Sequence, residues 1–438
     1  MFDAPAEAMS RDERAVLQQR RLRELVDRLL AAGGVQGERL RAAAVGSGAE
    51  VALDDLPRLP MTSKQDLWEH YPFGMLAVPL DEVVAVHGSS GTGGRPTLVG
   101  YTRADLELWA QMCARSLGCA GATRSSIVHN AYGYGLFTGG LGLHYGATRL
   151  GATVVPLSGG VTTRQVRLLT DLRPDILTCT PSYAIRLGEA LNEAGIDPTD
   201  LGLTAGVFGA EPWSEALRVQ IQELLPLVAL DIYGLSEVIG PGVATECREE
   251  QRGLHINEDH FFVEAIDPRS GEPVPEGQPG ELVFTTPTKE ALPLLRYRTG
   301  DVAALSTGDC SCGRTLVRMS KIVGRSDDMM VVRGVNVYPS EVEDVVLADT
   351  RLAPHYLLVL DSREPARRLL VACEAAAVEE QDGGTPLRES VEQALTQRLG
   401  LRADVCLLPQ GTVPRVEAGK AIRVATWSEG APPLPGLP

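Results

Sequence analysis

The chain has 438 residues, with 41 Lys and Arg against 57 Asp and Glu, so its formal charge at pH 7 is −16. A strongly acidic surface repels phosphate backbones, which disfavours nucleic acid or an anionic membrane as the main partner. The balance of 44% hydrophobic and 22% charged residues is typical of a globular protein and excludes a disordered, collagen-like or coiled-coil chain.

The cysteine content and the N-terminal segment bear on the compartment. Eight cysteines in a chain of this length are too few for a disulfide scaffold. The N-terminal segment lacks the basic start and apolar run of a signal peptide, and no stretch approaches the roughly 18 apolar residues of a transmembrane helix. We therefore expect a cytoplasmic protein with reduced thiols.

The first predicted elements are helices. Apolar residues at three- and four-residue steps predict an amphipathic helix over 11–31. Thr62 or Ser63, followed by Asp66, predicts a capped helix start, and a short apolar run over 82–86 leads into a glycine-rich turn. From there to about residue 240, β-rich runs and helical stretches alternate, which indicates α/β layers with parallel strands. The predicted strands are 153–156, 176–178, 205–208 and 228–232, and the predicted helices are 103–119, 161–172, 182–194 and 213–224.

The pattern changes after about residue 255. Alternating runs over 260–266 and 280–286, with turns at 268–271 and 275–280, predict antiparallel strands or a small barrel. Beyond Arg325 the chain starts afresh as an α+β module. Its predicted strands are 329–332, 356–360, 369–373 and 405–408, and its predicted helices begin at Ser340 and span 387–399. We expect the end from Gly430 onward, which is rich in Pro and Gly, to be disordered.

Residues 87–97 read His-Gly-Ser-Ser-Gly-Thr-Gly-Gly-Arg-Pro-Thr. Glycines let several backbone N–H groups point at one anion, and the hydroxyls and Arg95 add further donors. The spacing is not that of a Walker A loop, and a polar surface turn has a similar composition. This segment alone leaves phosphate binding and an ordinary turn open.

Five motifs follow this loop in order: FGAEPW (208–213), DIYGLSEVIGPGVATEC (231–247), RYRTGD (296–301), GRSDDMMVVRGVNVYPSEVE (324–343) and PRVEAGK (414–420). In this order and spacing they resemble the adenylate-forming superfamily, and more closely its phenylacetate–CoA ligases, over nearly the whole chain from about residue 55. The resemblance implies a large α/β N-terminal domain (1–325) and a small mobile α+β C-terminal domain (326–438), with a hinge at 325–328. It also implies two half-reactions. A carboxylate attacks the α-phosphorus of ATP to give an acyl-adenylate and pyrophosphate, and the thiol of coenzyme A then displaces AMP.

The resemblance implies a nucleotide site built from several segments. The glycine-rich loop surrounds the β- and γ-phosphates, Glu237 binds Mg²⁺, and Asp301 accepts hydrogen bonds from both ribose hydroxyls. The residues expected to bind ATP or AMP are Ser89, Ser90, Gly91, Thr92, Gly93, Gly94, Arg95, Gly209, Ala210, Glu211, Pro212, Asp231, Ile232, Tyr233, Gly234, Leu235, Ser236, Asp301 and Arg325. In the loop, Gly93 and Arg95 replace the Thr and Lys that are usual in the family.

The remaining catalytic assignments fall in the C-terminal part. By resemblance, Lys420 is the catalytic lysine that reaches the α-phosphate and the attacking carboxylate, and Asp327 is the hinge residue. Rotation about the hinge would replace the face that bears Lys420 with a face that opens the thiol tunnel. Arg333, Gly334 and Asn336 are the residues expected on that coenzyme A side.

Three aromatic residues, Tyr132, Tyr134 and Phe137, lie within six positions of one another and are flanked by glycines. Flat rings beside glycine backbone can form a slot for a planar ligand, and in the resembling family this stretch lines the aryl-acid pocket. An aryl or arylalkanoic acid is therefore the favoured substrate. The other interpretation is a packing cluster in the core.

Cys247, His255, Cys310 and Cys312 form a Cys₃His set with the donor chemistry of a tetrahedral zinc site. In a reducing compartment, spaced cysteines are metal ligands more often than disulfides. The spacing is not that of a standard zinc ribbon, so scattered buried thiols remain the alternative. The other cysteines, at 113, 119, 179, 373 and 406, lie in apolar contexts and are expected in the core.

Alternatives remain open at the level of chemistry. The acceptor could be the pantetheine thiol of a carrier protein, and some relatives of these ligases activate nitrite to diazotise an aryl amine. A catalytically silent nucleotide-binding protein is a different class, which the presence of both Lys420 and Glu237 disfavours. The assembly state is also open, with a homodimer as one option.

Overall fold

The computed structural model describes residues 1–89, 97–325, 330–332, 335–363, 368–375, 385–415 and 423–437. The helices are α1 (Ala4–Glu7), α2 (Arg11–Ala32), α3 (Gly34–Ala42), α4 (Lys64–Glu69), α5 (Arg103–Cys119), α6 (Thr138–Leu150), α7 (Thr162–Leu172), α8 (Pro181–Glu193), α9 (Glu215–Leu224), α10 (Pro339–Ala348) and α11 (Thr385–Leu399). Short 3-10 helices span Gly48–Glu50, Leu53–Arg58, Leu80–Glu82 and Pro198–Leu201.

The first fourteen strands are β1 (Ala85–Gly88), β2 (Leu98–Tyr101), β3 (Ile127–Asn130), β4 (Thr153–Pro156), β5 (Ile176–Cys179), β6 (Ala205–Gly209), β7 (Val228–Leu235), β8 (Gly240–Thr245), β9 (Leu254–Ile256), β10 (Phe262–Ile266), β11 (Pro279–Thr285), β12 (Tyr297–Ser306), β13 (Arg318–Met319) and β14 (Gly324–Arg325). The C-terminal strands are β15 (Met330–Val332), β16 (Val335–Val337), β17 (Leu352–Asp361), β18 (Arg368–Ala375), β19 (Asp404–Leu408) and β20 (Val424–Trp427).

One large sheet organises the N-terminal part. Its strand order is β10-β11-β12-β13-β9-β8-β7-β6-β5-β3-β4, and β14 pairs with β12. The strands from β7 to β4 are parallel, whereas β8 to β13 join by antiparallel pairs. The predicted α/β layers are confirmed, and the predicted antiparallel strands continue the same sheet.

Helices cover both faces of the parallel strands. Ile176 of β5 packs in the cluster that includes α5 and α6, whereas its neighbour Leu177 packs in the cluster that includes α7, α8 and α9. Successive side chains of a strand point to opposite faces, so these strands are apolar on both sides, as parallel strands between two helical layers must be.

Local signals predicted several boundaries well. Helix α5 spans the predicted 103–119, and Thr102 and Asp105 form the capping box at its start. Helix α4 begins after Ser63, whose backbone N–H donates to Asp66 at 2.8 Å. The run at 82–86 forms a strand only from Ala85, because 80–82 close a short 3-10 helix.

The C-terminal part has its own sheet, in the order β19-β18-β17-β20, and it packs on α8 and α9. Val342 and Val346 of α10 share a buried cluster with Leu217 and Ile221 of α9. Strand β20 had no counterpart in the sequence prediction. No described helix is both long and apolar enough to cross a bilayer.

The prediction of a disordered end from Gly430 is wrong for the residues described there. Leu434 and Leu437 are 4% and 8% exposed and pack with Trp427 and Leu408. The Pro- and Gly-rich composition concealed two leucines three residues apart, and their burial stabilises this segment against the second sheet.

Candidate active site and cysteine–histidine cluster

The glycine-rich segment connects the two strands of a hairpin. β1 and β2 pair antiparallel with Gly88 opposite Leu98, and Ser89 N donates to Thr97 O at 3.1 Å. Gly88 N donates to Leu136 O at 2.9 Å, which joins the base of the hairpin to the predicted acyl-pocket stretch. The predicted phosphate ligands Ser90, Gly91, Thr92, Gly93, Gly94 and Arg95 lie outside the described residues.

Glu237 lies in the turn between β7 and β8, where Val238 N donates to Leu235 O at 3.1 Å. The backbones of β7 and β8 approach each other closely here, since a Cβ on Gly234 would lie only 1.8 Å from Gly240 O. Glu237 is only 4% exposed, and in the part of the chain that the structure describes no donor reaches its carboxylate. A buried carboxylate is costly unless a cation or a donor compensates it, so this side chain is suited to hold a bound cation.

Lys289 lies beside this turn, and sequence reasoning missed it. Its ammonium is fully buried and donates to Glu237 O at 3.1 Å. Burial lowers the pKa of Lys289 to about 8, while the negative charges of Asp105 and Glu237 act in the opposite direction. The chain has only four lysines, and that scarcity was the one available signal.

Asp301 stands at the centre of a second polar group. Its Oδ2 accepts from Tyr233 Oη at 2.7 Å, and its Oδ1 accepts from Arg325 Nη1 at 2.9 Å. Strand pairing causes this meeting, since Asp301 on β12 lies opposite Arg325 on β14. Burial and the Asp301 charge raise the pKa of Tyr233, and its ring stacks on Phe284 with a centroid distance of 6.0 Å. The sequence-predicted ribose and adenine residues therefore lie together.

The other predicted nucleotide residues lie in or just after the carboxyl-terminal parts of two parallel strands, β6 and β7. They are Gly209, Ala210, Glu211 and Pro212 at and after the end of β6, Asp231, Ile232, Tyr233, Gly234 and Leu235 in β7, and Ser236 in the following turn. A Cβ on Gly209 would lie 2.2 Å from Ile232 O, and Glu211 accepts from Ser182 N at 2.8 Å. Burial raises the pKa of the Asp231 carboxyl. Ligands of open α/β sheets bind at such strand ends.

The three predicted acyl-pocket residues differ in burial. Tyr132 is 7% exposed and belongs to the core cluster with α5 and α6, Tyr134 is partly buried, and Phe137 is 51% exposed. Tyr134 Oη accepts from Asn130 Nδ2 at 2.8 Å, and burial raises its pKa to about 12. The stretch therefore runs from the core to the surface, as the wall of an open pocket would.

The structure does not describe the side chains of several predicted site residues. Lys420, Asp327, Arg333 and Gly334 lie outside the described residues, and Asn336 is described only in its backbone, in β16. Their roles stay predictions.

The cysteine–histidine cluster consists of Cys247, His255, Cys310 and Cys312, whose ligand atoms all lie within 4.8 Å of one another. Strand β9, which bears His255, lies between β8 and β13, so the segments carrying the cysteines converge on it. Cys247 Sγ and Cys310 Sγ are 3.6 Å apart, and Cys312 Sγ lies 3.5 Å from His255 Nε2. Tetrahedral zinc, with bonds of about 2.3 Å to sulfur and about 2.0 Å to nitrogen, requires a sulfur–sulfur separation of roughly 3.8 Å and a sulfur–nitrogen separation of roughly 3.5 Å. The donors therefore fit zinc, and all eight cysteines are free of disulfides.

Comparison with known proteins identifies the family to which this chain belongs. Residues 26–289 match the family of AMP-binding enzymes, and residues 334–426 match the AMP-binding enzyme C-terminal domain. The phenylacetate-coenzyme A ligase of Thermus thermophilus is 49% identical, over 97% of this chain and 99% of that protein. The chain belongs to the phenylacetate–CoA ligase family of adenylate-forming enzymes.

This membership confirms the predicted fold and reaction class, that of an AMP-forming acid–thiol ligase. The predicted resemblance from about residue 55 was too short, since the family match starts at residue 26 and the Thermus enzyme aligns with 97% of the chain.

Solved structures of one relative distinguish two arrangements of the fold. The 2-hydroxyisobutyryl-CoA ligase in its postadenylation state with 2-HIB-AMP superposes with a TM-score of 0.90, at 28% identity over 96% of this ligase and 91% of that chain. The same enzyme with 2-HIB-AMP and CoA in its thioesterification state gives 0.72, at 28% identity over 97% and 92%. The present structure therefore resembles the postadenylation arrangement more closely.

Proposed function

We propose that this ligase activates phenylacetate, or a close arylalkanoic acid, as its acyl-adenylate and transfers the acyl group to coenzyme A. The observation that carries the proposal is the buried Glu237 carboxylate without a described partner, beside the hairpin of the glycine-rich loop. Ser236 Oγ, one residue before it, lies 3.5 Å from Gly88 O at the base of that hairpin. Phenylacetate is the acid named for the Thermus relative.

In the adenylation step, Glu237 would hold Mg²⁺, and the ion would supply charge neutralisation for the phosphates of ATP. Ser89 and the following loop residues would bind the β- and γ-phosphates through backbone N–H groups and hydroxyls. Lys420 would approach the α-phosphate and the attacking carboxylate. Asp301 would accept from the ribose, with Tyr233 and Arg325 holding the carboxylate in place beforehand.

For the acid, Tyr132, Tyr134 and Phe137 would form the aromatic wall, with Tyr134 oriented by Asn130. Leu136 O, which accepts from the base of the phosphate hairpin, lies between Tyr134 and Phe137 in the chain. The acid and phosphate sites would therefore share a rigid boundary.

For the thioester step, we propose rotation of the C-terminal domain about Asp327, which would bring Arg333, Gly334 and Asn336 to the coenzyme A side. Among the described residues, the C-terminal domain docks through the apolar contacts of α10 with α9 and through polar contacts. Ser214 N donates to Glu343 at 2.8 Å, and His355 Nε2 lies 2.8 Å from Glu189. Domain rotations of this kind occur on the microsecond to millisecond scale.

The test is ATP–pyrophosphate exchange with a panel of aryl acids, followed by mass spectrometry of reactions that contain coenzyme A, a holo carrier protein, or nitrite with an aryl amine. We expect exchange with phenylacetate and formation of phenylacetyl-CoA. If exchange occurs but the acyl group is transferred only to the carrier protein, the acceptor is that carrier protein and the coenzyme A part of the proposal is wrong. Diazotised amine without acyl-CoA, or no exchange with any acid, would overturn the proposal.

We further propose that the cysteine–histidine cluster holds one structural zinc ion, supported by separations of 3.6 and 3.5 Å between its donors. Elemental analysis should find about one zinc per chain, and Cys312→Ser should lose metal and stability. Cys406→Ser, outside the cluster, is the control. Metal-free wild type that folds normally would refute the site. We also propose a cytoplasmic location, which is supported by the eight cysteines that form no disulfide.

A further inference from the structure

The turn that carries Glu237 is held by two buried side chains from other elements. Tyr101 Oη, from β2, donates its one hydrogen to Ile239 O at 3.1 Å, and Ser236 O lies 3.4 Å from the same phenol oxygen. Lys289 Nζ donates to Glu237 O at 3.1 Å. Three carbonyls of one short turn, those of Ser236, Glu237 and Ile239, therefore face a buried phenol or a buried ammonium.

The two side chains also contact each other. Lys289 Nζ lies 4.8 Å from the centroid of the Tyr101 ring, within cation–π range. Tyr101 and Lys289 are both 0% exposed. Because Tyr101 ends the hairpin that carries the glycine-rich loop, the pair links that hairpin to the Glu237 turn.

The backbone around Lys289 is fixed on both sides. Asp105, at the start of α5, accepts from Glu290 N at 2.7 Å and from Ala291 N at 2.9 Å. Arg28 of α2 donates to Lys289 O at 2.7 Å. Two elements distant in the chain, α5 and α2, thus set where the lysine side chain leaves the backbone.

The arrangement of charged groups around Lys289 indicates a role for its ammonium beyond packing. A fully buried ammonium is costly, and the usual compensation is a direct contact with a carboxylate. Here the ammonium instead donates to the backbone carbonyl of Glu237, and the Asp105 oxygens accept from backbone N–H groups. The Glu237 carboxylate thus has a positive charge close by without a described donor that occupies its oxygens.

We propose that Lys289 is a positioning residue for adenylation: with Tyr101 it holds the Glu237 turn so that the carboxylate remains available to the cation that accompanies ATP. The inference rests on the proposed function, in which Glu237 binds Mg²⁺. It predicts that losing the ammonium weakens the use of Mg²⁺ and ATP while leaving the acid site intact.

The experiment compares Lys289→Met, Lys289→Arg and Lys64→Met with wild type. Met keeps the length and apolar stem of lysine, and Arg restores a charge and donors. Lys64 is the matched control, since its ammonium also lies over an aromatic ring, 5.6 Å from the Trp68 centroid, but on α4. The measurements are the thermal midpoint, KM for ATP and for phenylacetate, and half-saturating Mg²⁺ in pyrophosphate exchange. Binding of MgATP without the acid is measured by calorimetry.

For Lys289→Met we expect KM for ATP and half-saturating Mg²⁺ to rise about tenfold to a hundredfold, the range for loss of a charge-assisted contact. KM for phenylacetate should change less than about threefold. Lys289→Arg should recover part of the Mg²⁺ response, and Lys64→Met should behave as wild type in all nucleotide measurements.

A purely structural role would give a different pattern. If Lys289→Met lowers the thermal midpoint but its folded fraction keeps wild-type KM for ATP and Mg²⁺ response, the inference is wrong. It is also wrong if both KM values rise equally. If Lys289→Met does not fold, Lys289→Gln, which keeps a donor without the charge, takes its place, and a wild-type Mg²⁺ response of that variant refutes the inference. Wild type that binds MgATP but activates no acid would instead refute the proposed substrate.

Discussion

The variant Asp301→Asn tests whether Asp301 binds the ribose of ATP or only forms an ion pair with Arg325. In the structure the carboxylate accepts from Tyr233 Oη at 2.7 Å and from Arg325 Nη1 at 2.9 Å. Asparagine keeps the shape and one acceptor oxygen but removes the charge and adds two donors. If Asp301 also accepts from both ribose hydroxyls, the variant loses the charge-assisted part of those bonds.

The magnitude follows from these contacts. A hydrogen bond to a charged group contributes about 1.5–3 kcal/mol, against about 1 kcal/mol for a neutral pair. The difference is about 0.5–2 kcal/mol for each bond, so for two ribose hydroxyls it amounts to about 1–4 kcal/mol, a rise of roughly 5- to 700-fold in KM for ATP. Stability should fall by only about 1 kcal/mol, because the Arg325 side chain is 29% exposed and its ion pair is screened.

The assay is pyrophosphate exchange over a range of ATP concentrations, with urea unfolding of the same samples. Asp66→Asn is the matched control, because it also removes a carboxylate that pairs with an arginine, Arg39, with one contact at 3.0 Å, away from the site. We expect the control to lose stability without a change in KM for ATP. An Asp301→Asn enzyme that loses stability like the control and keeps wild-type KM would show that Asp301 only pairs with Arg325.

Three further predictions concern the scaffold. Gly234→Ala should abolish exchange and lower stability by about 1–3 kcal/mol, because its Cβ would lie 1.8 Å from Gly240 O; Gly308→Ala, where the nearest atom is 3.5 Å away, should be nearly neutral in both assays. Although burial alone would raise the pKa of Asp259, His260 and Arg115 hold it well below its usual range. Its contribution to stability is therefore present above about pH 4 and is lost as pH falls further, so urea midpoints should drop there in wild type and drop less in Asp259→Asn. Glu343→Gln should loosen docking of the C-terminal domain, because Glu343 accepts from Ser214 N and Tyr356 Oη, and hydrogen exchange at 214–217 should quicken; unchanged exchange would contradict this.

The elements that could be predicted are those whose determinants lie nearby in the chain. Thr102 and Asp105 specify the start of α5 three residues apart, and continuous apolar runs predict the buried parallel strands. Strand β20 and the buried end beyond Gly430 were missed because their partners, such as Leu408 and Trp427 for the final leucines, lie elsewhere. No local pattern records such a contact.

The residues of the candidate site also fall into two groups, those that the sequence could identify and those that only the fold brings into contact. Motifs identified Asp301, Tyr233 and Arg325, and strand pairing brings them together. Cys247 and Cys310 were grouped by chemistry alone, and the fold places their sulfurs 3.6 Å apart. Lys289 could not be assigned from its neighbours in the sequence, since its partners Tyr101 and Glu237 come from distant elements.

The use of lysine in this chain supports a specific role at that position. Of the 41 basic residues, 37 are arginines and only four are lysines, at 64, 289, 321 and 420. Arginine carries five donors on a broad plane, whereas lysine carries one compact ammonium on a flexible stem. In the described part of the chain, the Lys289 ammonium contacts one carbonyl and the face of Tyr101, an arrangement that suits an ammonium better than the five donors of a guanidinium. In an acidic chain that must bind a polyanion, a compact buried charge beneath the Glu237 turn offsets negative charge without blocking the space that the phosphates and their cation require.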